Sequence, residues 1–408
     1  MVENFSYLTI LQLFTSLVPV ITYPYLVRVL GIDLYGTVIF AQTIISYFSL
    51  IVDFGFKSSA AKEVAVHQDN KEKLSEIVSA VFCLRSILFL FSFLCLCVAV
   101  CVIPAFREYK LLYLFSFGFT LNELLLPQFY FLGVEKMKYV TIMNIVVKTV
   151  FVVLTFVLIT EPSDYLYVPL LNTFGFMGGG FVALYILFVK EKIRLVTPSF
   201  KNLKYYLKET VSLFATDVIM SVKDRINVIL IGVVLGMGEV AIYDLGMKIV
   251  SILNKPIDIL NTVVFPKIAK EHNVAILKKV ILYSFVVMGM LIVLLQFPLS
   301  DIIGFFSDYT ITDIFPIRFM LLIPLIMTIS LPIARNFLIA FGHYKTVFFN
   351  MLYVTLLYCF LVTIGLWTHW LSSIGTFITL TLVVYFYEMI YRILITRKIL
   401  HDEDKRMY

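Results

Sequence analysis

Hydrophobic residues in this chain are concentrated in long runs that short polar segments separate. Each run spans about 20 residues or more, the length that an α-helix needs to cross the hydrocarbon core of a bilayer. The pattern therefore predicts an all-α, polytopic membrane protein with about 12 transmembrane helices. The runs cover residues 7–29, 36–56, 78–103, 111–132, 140–160, 165–189, 211–236, 240–265, 279–300, 312–341, 346–367 and 372–396.

The composition supports the same fold class. Hydrophobic residues make up 61% of the chain and charged residues 15%, and the mean hydropathy is +0.95. These values leave almost no sequence for a soluble domain. The five cysteines form no CxxC motif and no cluster with histidine, so we expect neither a metal site nor another cofactor.

Lysine and arginine are divided unevenly between the two sets of loops. With a cytoplasmic N-terminus, the cytoplasmic segments hold 21 of these residues and the opposite loops hold three, Arg28, Arg107 and Lys110. Because cytoplasmic loops are enriched in Lys and Arg, both termini are predicted to be cytoplasmic. The net charge of +6 follows from this topology, and we expect no nucleic-acid partner. The cytoplasmic segments are 57–76, 133–139, 190–210, 266–279, 341–346 and 397–408.

The second half of the chain repeats features of the first half at a constant offset of 205 residues. Six spans separate the two copies, so they form a parallel repeat of two six-helix lobes, the layout of an alternating-access transporter. The corresponding residues are Leu30 and Leu235, Gly31 and Gly236, Ser46 and Ser251, Asp53 and Asp258, His67 and His272, and Pro127 and Pro332.

This repeat predicts four parts of the chain. Residues 1–190 form the N-terminal lobe, 211–396 form the C-terminal lobe and 397–408 form a cytoplasmic tail. Residues 191–210 form a basic cytoplasmic linker, in which lysines alternate with Phe, Tyr and Leu. That pattern is typical of a helix that lies on an anionic membrane surface.

The most informative polar pattern lies in the eighth run. Asp244, Lys248, Ser251, Lys255 and Asp258 follow one another at spacings of four, three, four and three residues, which places them on one face of a helix. A charge at the bilayer centre costs about 2.5–3.5 kcal/mol, so this stripe is tolerated only against protein or water. We interpret the stripe as the wall of a polar cavity. The alternative is that the stripe packs dry against other helices, with Lys255 as the ion-pair partner of Asp258 or of an acid on another helix.

Other charges also lie inside the predicted spans. Lys223, Asp224 and Arg225 come about ten residues after the apolar run begins at Leu213, so we expect them near the middle of the bilayer. Arg85, Arg318 and Arg392 lie near predicted helix ends, so we expect their side chains to extend to the headgroups. The remaining candidates for the cavity are Asp53, Lys148, Asp217 and Arg335.

The sign of these charges indicates the class of substrate. Near the middle of the membrane, Lys and Arg outnumber the acids close to them. A cavity of low dielectric constant with an excess of cations attracts anions, and phosphates suit Lys and Arg well. We therefore expect an anionic substrate.

The first third of the chain carries a set of short motifs. They comprise Pro24, Tyr25, Leu26, Arg28, Leu30 and Gly31, then Tyr35 and Gly36, then 53–56, and Gln128, Gly133, Glu135, Lys136 and Met137. In these motifs the chain resembles Wzx-type flippases of O-antigen and related polysaccharides, in the multidrug/oligosaccharidyl-lipid/polysaccharide exporter superfamily. The match is strong over about residues 5–140 and weaker in the second lobe. The run Lys223-Asp224-Arg225 is denser in charge than we expect of that family.

The resemblance implies a transporter without catalytic residues. Its substrate is expected to be an undecaprenyl-diphosphate-linked oligosaccharide, moved across the bacterial inner membrane from the cytoplasmic to the outer face. The expected partners are this lipid-linked oligosaccharide, the bilayer, and polymerase and chain-length proteins of the same pathway. The resemblance also carries Arg28 over as a substrate-binding residue.

Three other functions stay open. A drug/cation antiporter of the same superfamily is expected to have an acid-dominated cavity, whereas this one is rich in cations. A membrane polysaccharide polymerase or ligase needs a sizeable outer loop, and the longest outer loop here has only about a dozen residues, around 300–312. A lipid II flippase resembles this chain but has helices beyond twelve.

Overall fold

The computed structural model of this chain describes residues 2–307, 311 and 313–407, and their side chains except at 2–6, 8, 223, 224 and 403–407. Every regular element in this part of the chain is helical. The chain divides into two compact units, the first ending at Ser221 and the second beginning at Val222. The division falls inside a helix, so the segment predicted as a linker, 191–210, belongs to the first unit.

The first unit holds ten helices and the beginning of an eleventh. Short 3₁₀ turns at Phe117–Thr120 and Pro162–Leu166 and a π-helical turn at Ile186–Lys190 connect some of them. The helices are α1 (Val2–Leu30), α2 (Ile32–Asp53), α3 (Phe56–Val66), α4 (Lys71–Val102), α5 (Pro104–Glu108), α6 (Lys110–Ser116), α7 (Leu121–Leu125), α8 (Gln128–Gly133), α9 (Met137–Leu158), α10 (Tyr167–Tyr185) and α11 (Phe200–Val234).

The second unit begins within α11 and contains the remaining helices. A π-helix at Ile333–Ile339 follows directly on one of them. The helices are α12 (Met237–Glu271), α13 (Val274–Gln296), α14 (Leu299–Ser307), α15 (Phe315–Met320), α16 (Leu322–Pro332), α17 (Tyr344–Trp367) and α18 (Ile374–Met407).

Ten helical segments in the described part of the chain are long and apolar enough to cross a membrane. The prediction of an all-α, polytopic membrane protein is therefore confirmed. Of the twelve predicted runs, 111–132 is divided among α6, α7 and α8. The run 211–236 lies in α11 and is not among these ten segments. Its apolar part, Arg225–Val234, is too short to cross a membrane. The count of twelve spans and the internal repeat stay predictions.

Two glycines shape the turns between successive long helices. Gly31 has a φ of 80° and precedes α2, and Gly236 has a φ of 108° and precedes α12. Glycine adopts such angles readily because it has no Cβ, whereas other residues are strained there. The two glycines are one of the residue pairs at the offset of 205, and the same kind of turn precedes α2 and α12.

Proline affects the helices differently at different places in the chain. At Pro127 the chain leaves the helical conformation, since α7 ends at Leu125 and Leu126 is extended with φ −98° and ψ 102°. Proline lacks an N–H and disfavours helical geometry in the residue before it. Pro332 instead ends α16 and leads into the π-helix. The first helix continues through Pro19 and Pro24.

The loops predicted to be cytoplasmic lie together in the first unit. Glu191, from the segment after α10, is 9% exposed and accepts a hydrogen bond from Lys136 Nζ at 2.5 Å. Lys71 Nζ lies 3.9 Å from the same carboxylate and donates to the Glu191 backbone oxygen at 2.8 Å. One buried acid thus joins three loops that the charge pattern places on one side.

The second unit shows the same grouping. The His272 ring, after α12, lies 4.5 Å from the Phe341 ring, after the π-helix. Ile399 and Leu400, at the far end of α18, pack against a cluster that includes Leu277. The predicted sidedness of the loops therefore agrees with the packing within each unit, while the assignment of that side to the cytoplasm stays a prediction.

Candidate functional site

The centre of α12 carries a group of two cations and one acid. Lys255 lies near the middle of this 35-residue helix, about 24 Å from its end at Glu271. Asp258 is half-buried one turn later, and both Lys255 and Arg335 of the π-helix interact with its charge. Neither cation makes a direct ion-pair contact with a described carboxylate. The group therefore carries an excess of positive charge inside a membrane helix.

The first part of the predicted stripe is neutralised within the helix. Lys248 Nζ contacts Asp244 Oδ2 one turn away, and both side chains are largely buried. Ser251, between this pair and Lys255, is exposed. Asp244 and Lys248 thus pair with each other within α12, and among the described residues Lys255 is the cation of the stripe without such a contact.

Arg335 is held near α12 by a pair of buried amides. Asn336 Nδ2 donates to Asn261 Oδ1 at 2.7 Å. The Asn261 amide in turn donates to the backbone oxygen of Ile257 at 2.9 Å. Asn261 follows Asp258 by three residues and Asn336 follows Arg335 directly, so this contact fixes the π-helix beside the charged part of α12. A π-helix inserts an extra residue into a turn and is frequent at functional sites.

The charges of the seventh run lie along α11. Asp217 is half-buried and interacts electrostatically with Asp53 and Lys57 within the first unit. Arg225, in the second unit, is exposed. The side chains of Lys223 and Asp224 lie outside the described residues.

Beyond the charged run, α11 is anchored in the second unit by polar contacts. Asn227, which is fully buried, donates to Tyr243 Oη at 3.0 Å and to Thr381 Oγ1 at 2.8 Å. Tyr358 donates to its Oδ1 atom. These contacts tie the end of α11 to α12, α17 and α18.

Asp53, a predicted cavity residue at the end of α2, forms an ion pair in the first unit. Its Oδ1 contacts Nη2 of Arg85 on α4, and Arg85 is only 2% exposed. Arg85 Nη1 donates to the Glu123 backbone oxygen at 2.5 Å, and its guanidinium lies 5.4 Å from the centre of the Phe129 ring. The expectation that Arg85 extends to the headgroups is wrong, because a buried carboxylate lies within its reach.

The same expectation is wrong for Arg392. This residue is 4% exposed and pairs with Glu388, one turn earlier on α18. Arg392 also donates to Asn350 Oδ1 at 2.9 Å and to Ser330 Oγ at 2.8 Å. Arg318, in contrast, is exposed, and its expected position at the headgroups stays a prediction.

The two remaining predicted residues lie apart from these groups. Lys148 is half-buried on α9 and makes no ion pair with any described residue. One turn before it, Asn144 lines a cavity of about 10 Å³ together with Asn122, at the lower limit for a single water. Arg28 is exposed at the end of α1.

Some polar residues of these sites could have been identified from the sequence. Glu388 and Arg392 are four residues apart inside one apolar run, a spacing that favours an ion pair on one helix face. Asn261 extends the stripe by three residues beyond Asp258. The pairing of Asp53 with Arg85 and of Asn261 with Asn336 joins distant parts of the chain, and no spacing rule predicts such contacts.

Two proteins of known name are similar to this chain in sequence. A protein named "Putative O-antigen transporter" from Escherichia coli (strain K12) is 26% identical over 280 residues, which are 69% of this chain and 68% of that protein. A protein of the same name from Shigella dysenteriae is 25% identical over 336 residues, or 81% of this chain and 84% of that protein.

Solved transporter structures share the fold. A multidrug resistance MATE family transporter of the MOP superfamily, in an inward-facing conformation, matches with a TM-score of 0.66 at 14% identity, over 95% of this chain and 99% of that chain. A MOP superfamily transporter from Pyrococcus furiosus, described as having a binding pocket of reverse polarity, matches with a TM-score of 0.63 at 12% identity, over 96% of this chain and 94% of that chain.

A family model decides the assignment. The model described as "Polysaccharide biosynthesis protein" matches residues 1–272 of the 408 in the chain. The match includes the motif around Pro24 and Arg28, the Asp53 segment and the α12 stripe, and it confirms the resemblance drawn from the motifs of the first third. The chain therefore belongs to the polysaccharide biosynthesis protein family.

Proposed function

We propose that this protein is a flippase that moves undecaprenyl-diphosphate-linked O-antigen, or a related polysaccharide repeat unit, across the bacterial inner membrane. One observation carries the proposal. Lys255 and Arg335 share a single acid, Asp258, in the middle of α12. An anion that enters beside this group neutralises the excess charge, and a diphosphate offers two charged groups for two cations.

The two side chains suit a diphosphate in different ways. Arg presents a planar fork of donors that binds two phosphate oxygens at once, whereas Lys acts as a compact point charge. Asp258 attracts both cations before the ligand arrives. One acid shared by two cations attracts each of them less strongly than a separate acid for each cation would. A substrate anion can therefore replace Asp258 as the partner of these cations.

The comparisons support the same substrate class. Two relatives are named as O-antigen transporters, and the family description refers to polysaccharide biosynthesis. Matching folds were solved in inward-facing and outward-facing conformations, which supports alternating access. Under this proposal the flipped repeat unit is passed to polymerase and chain-length proteins at the outer face.

Reconstitution of the purified protein in liposomes tests the proposal. A polyprenyl-diphosphate-linked oligosaccharide is placed in both leaflets, and a membrane-impermeant oxidant modifies the sugars of the outer leaflet alone. We expect the protein to make the inner pool accessible to the oxidant with time, whereas protein-free liposomes protect half of the sugar. Efflux of a cationic dye without movement of the lipid-linked sugar would instead indicate the drug/cation antiporter.

A further inference from the structure

The start of α11 carries lysines that have no role in the function proposed so far. In the basic segment that the sequence predicts to be a linker, residues 191–199 are not helical and α11 begins at Phe200. The same helix continues into the predicted span 211–236. Its first turns are therefore expected to lie at the membrane surface, on the predicted cytoplasmic side. The lysines on these turns are Lys201, Lys204 and Lys208.

Several contacts hold the start of α11 against the first unit. The Asn202 side-chain amide donates to Glu76 Oε1 on α4 at 2.7 Å. The hydroxyl groups of Thr210 and of Ser59 on α3 are 2.9 Å apart and share a hydrogen bond. Tyr206 is 4% exposed and belongs to the hydrophobic core of this unit. These contacts fix which face of the helix the protein covers and which face points outward.

The outward face of these turns includes a line of apolar side chains, which we call the apolar face. Phe200 is 81% exposed, Val211 is 47% exposed, and Leu207 lies between them at 36%. On a helix these three positions lie within about 40° of one another around the axis. Exposed apolar side chains are unfavourable in water and favourable among lipid chains.

A row of lysines borders the apolar face on one side. Lys201, Lys204 and Lys208 are all exposed, and they lie within about 60° of one another along about 10 Å of the helix. None of them makes an ion pair with a described residue. Glu209 is also exposed, but it lies about 80° beyond the lysine row around the axis. The row therefore presents three positive charges beside the apolar face.

We propose that this face of α11 binds the headgroups of anionic phospholipids on the predicted cytoplasmic side of the membrane. The apolar face lies among the acyl chains, and the lysine row contacts the lipid phosphates. Charge complementarity carries the proposal, because an anionic leaflet attracts basic residues at its surface. A helix with an apolar face beside a row of lysines has the geometry of interfacial binding. The proposal does not depend on what the protein transports.

Two other anionic partners fit this surface less well. A soluble acidic protein would leave the apolar face in water whenever it was not bound, whereas lipid is always present beside a membrane helix. A single diphosphate is compact, while the lysine row spreads its charges along about 10 Å. Lysine acts as a point charge on a flexible stem, so such a row suits the separate phosphates of neighbouring lipids.

Quenching of tryptophan fluorescence by brominated lipids tests the site directly. Phe200→Trp, in a background where the native Trp367 and Trp370 are replaced by Phe, places the one indole of the protein on the apolar face. The protein is reconstituted in mixed bilayers in which either phosphatidylglycerol or phosphatidylcholine carries bromine on its acyl chains. We expect phosphatidylglycerol to quench severalfold more strongly at equal lipid fraction. High salt should reduce this preference, since it screens exposed charges.

Removal of the lysine row should abolish the preference. In the same background, Lys201→Gln/Lys204→Gln/Lys208→Gln is expected to be quenched equally by the two lipids. The three side chains are exposed, and elution of the variant as a single folded species excludes misfolding as the cause. A preference that persists in this variant, or equal quenching with the lysines in place, would overturn the inference. Absence of quenching by either lipid would show that the apolar face meets water or protein, and would overturn it as well.

A matched variant separates this surface from the net charge of the protein. Lys270→Gln/Lys278→Gln/Lys279→Gln removes three exposed lysines from the second unit and lowers the net charge by the same amount. The preference of the indole for phosphatidylglycerol should be unchanged in this variant. Its loss would mean that the overall charge attracts the anionic lipid, and the assignment to the start of α11 would be wrong.

Discussion

The side-chain amide of Asn336 donates a hydrogen bond to Asn261 Oδ1 at 2.7 Å, and both side chains are fully buried. This contact joins the π-helix to α12 at the level of Asp258. Because Arg335 precedes Asn336, the position of its guanidinium depends on the amide contact. We infer that the two asparagines orient a cation of the candidate site without touching the substrate.

Replacing Asn336 by leucine should weaken both the fold and the site. The change leaves Asn261 Oδ1 buried without a donor, which costs about 1–3 kcal/mol. We expect a lower midpoint of thermal unfolding and weaker binding of inorganic pyrophosphate, measured by calorimetry. The double variant Asn261→Leu/Asn336→Leu should recover most of the stability, since both partners are removed, but not the binding. Unchanged binding in Asn336→Leu would contradict the orienting role.

The buried pair of Glu388 and Arg392 should be strongly coupled. Arg392→Met leaves a carboxylate buried without its partner, and such losses cost about 3–5 kcal/mol. Chemical unfolding should show this loss, and Glu388→Gln combined with Arg392→Met should restore a large part of it. Arg397→Met, at an exposed arginine of the same helix, is the control. Equal stability of the two single Arg variants would mean that the Arg392 side chain reaches the headgroups.

Water should reach Arg225 on α11 and the polar face of α12, and it should not reach the opposite face of α12. A cysteine at Lys255 or Arg225 is expected to react with a small charged thiol reagent in membranes. A cysteine at Leu260, about 140° around α12 from Lys255, is expected to stay unreactive in a background where the native cysteines are replaced. Equal labelling at Lys255 and Leu260 would mean that the stripe packs dry against other helices.

The loops that meet at Glu191 should be accessible from the cytoplasm alone. Single cysteines at Lys71, Lys136 and Arg194 are expected to react with an impermeant thiol reagent in inverted vesicles and to be protected in intact spheroplasts. A cysteine at Arg107, on a loop predicted to face outward, should give the reverse pattern. Labelling of Arg194 from outside would contradict the predicted orientation.

The fold class could be predicted from the sequence because its main determinant is local. A run of apolar residues long enough to span a bilayer forms a helix whatever surrounds it, and ten such helices are present in the described part of the chain. The break at Pro127 and the turns at Gly31 and Gly236 were likewise predictable, since they follow from the backbone geometry of single residues. Grouping of the loops within each unit followed from the placement of Lys and Arg.

The partners of the buried charges could not be predicted in the same way. Helix spacing places Asp244 and Lys248 on one face, so an ion pair between these two residues was predictable from the sequence. The expectation for Arg85 was wrong because it used only the distance of this residue from a helix end. The sequence does not show that Arg85 contacts Asp53, which lies 32 residues earlier in the chain. Contacts between helices depend on packing, which a pattern along one helix does not contain.

The central claim is that Lys255 binds the diphosphate of the substrate, and the rate of oligosaccharide movement in liposomes by Lys255→Gln tests it most directly. A hydrogen bond to a charged group contributes about 1.5–3 kcal/mol, so Lys255→Gln should slow movement roughly 10- to 100-fold with unchanged amounts of folded protein. Lys255→Arg should keep most of the rate, and Lys267→Gln, at an exposed lysine of α12, all of it. Recovery of the rate in Lys255→Gln/Asp258→Asn would show that Lys255 serves only to neutralise Asp258 and would contradict the account.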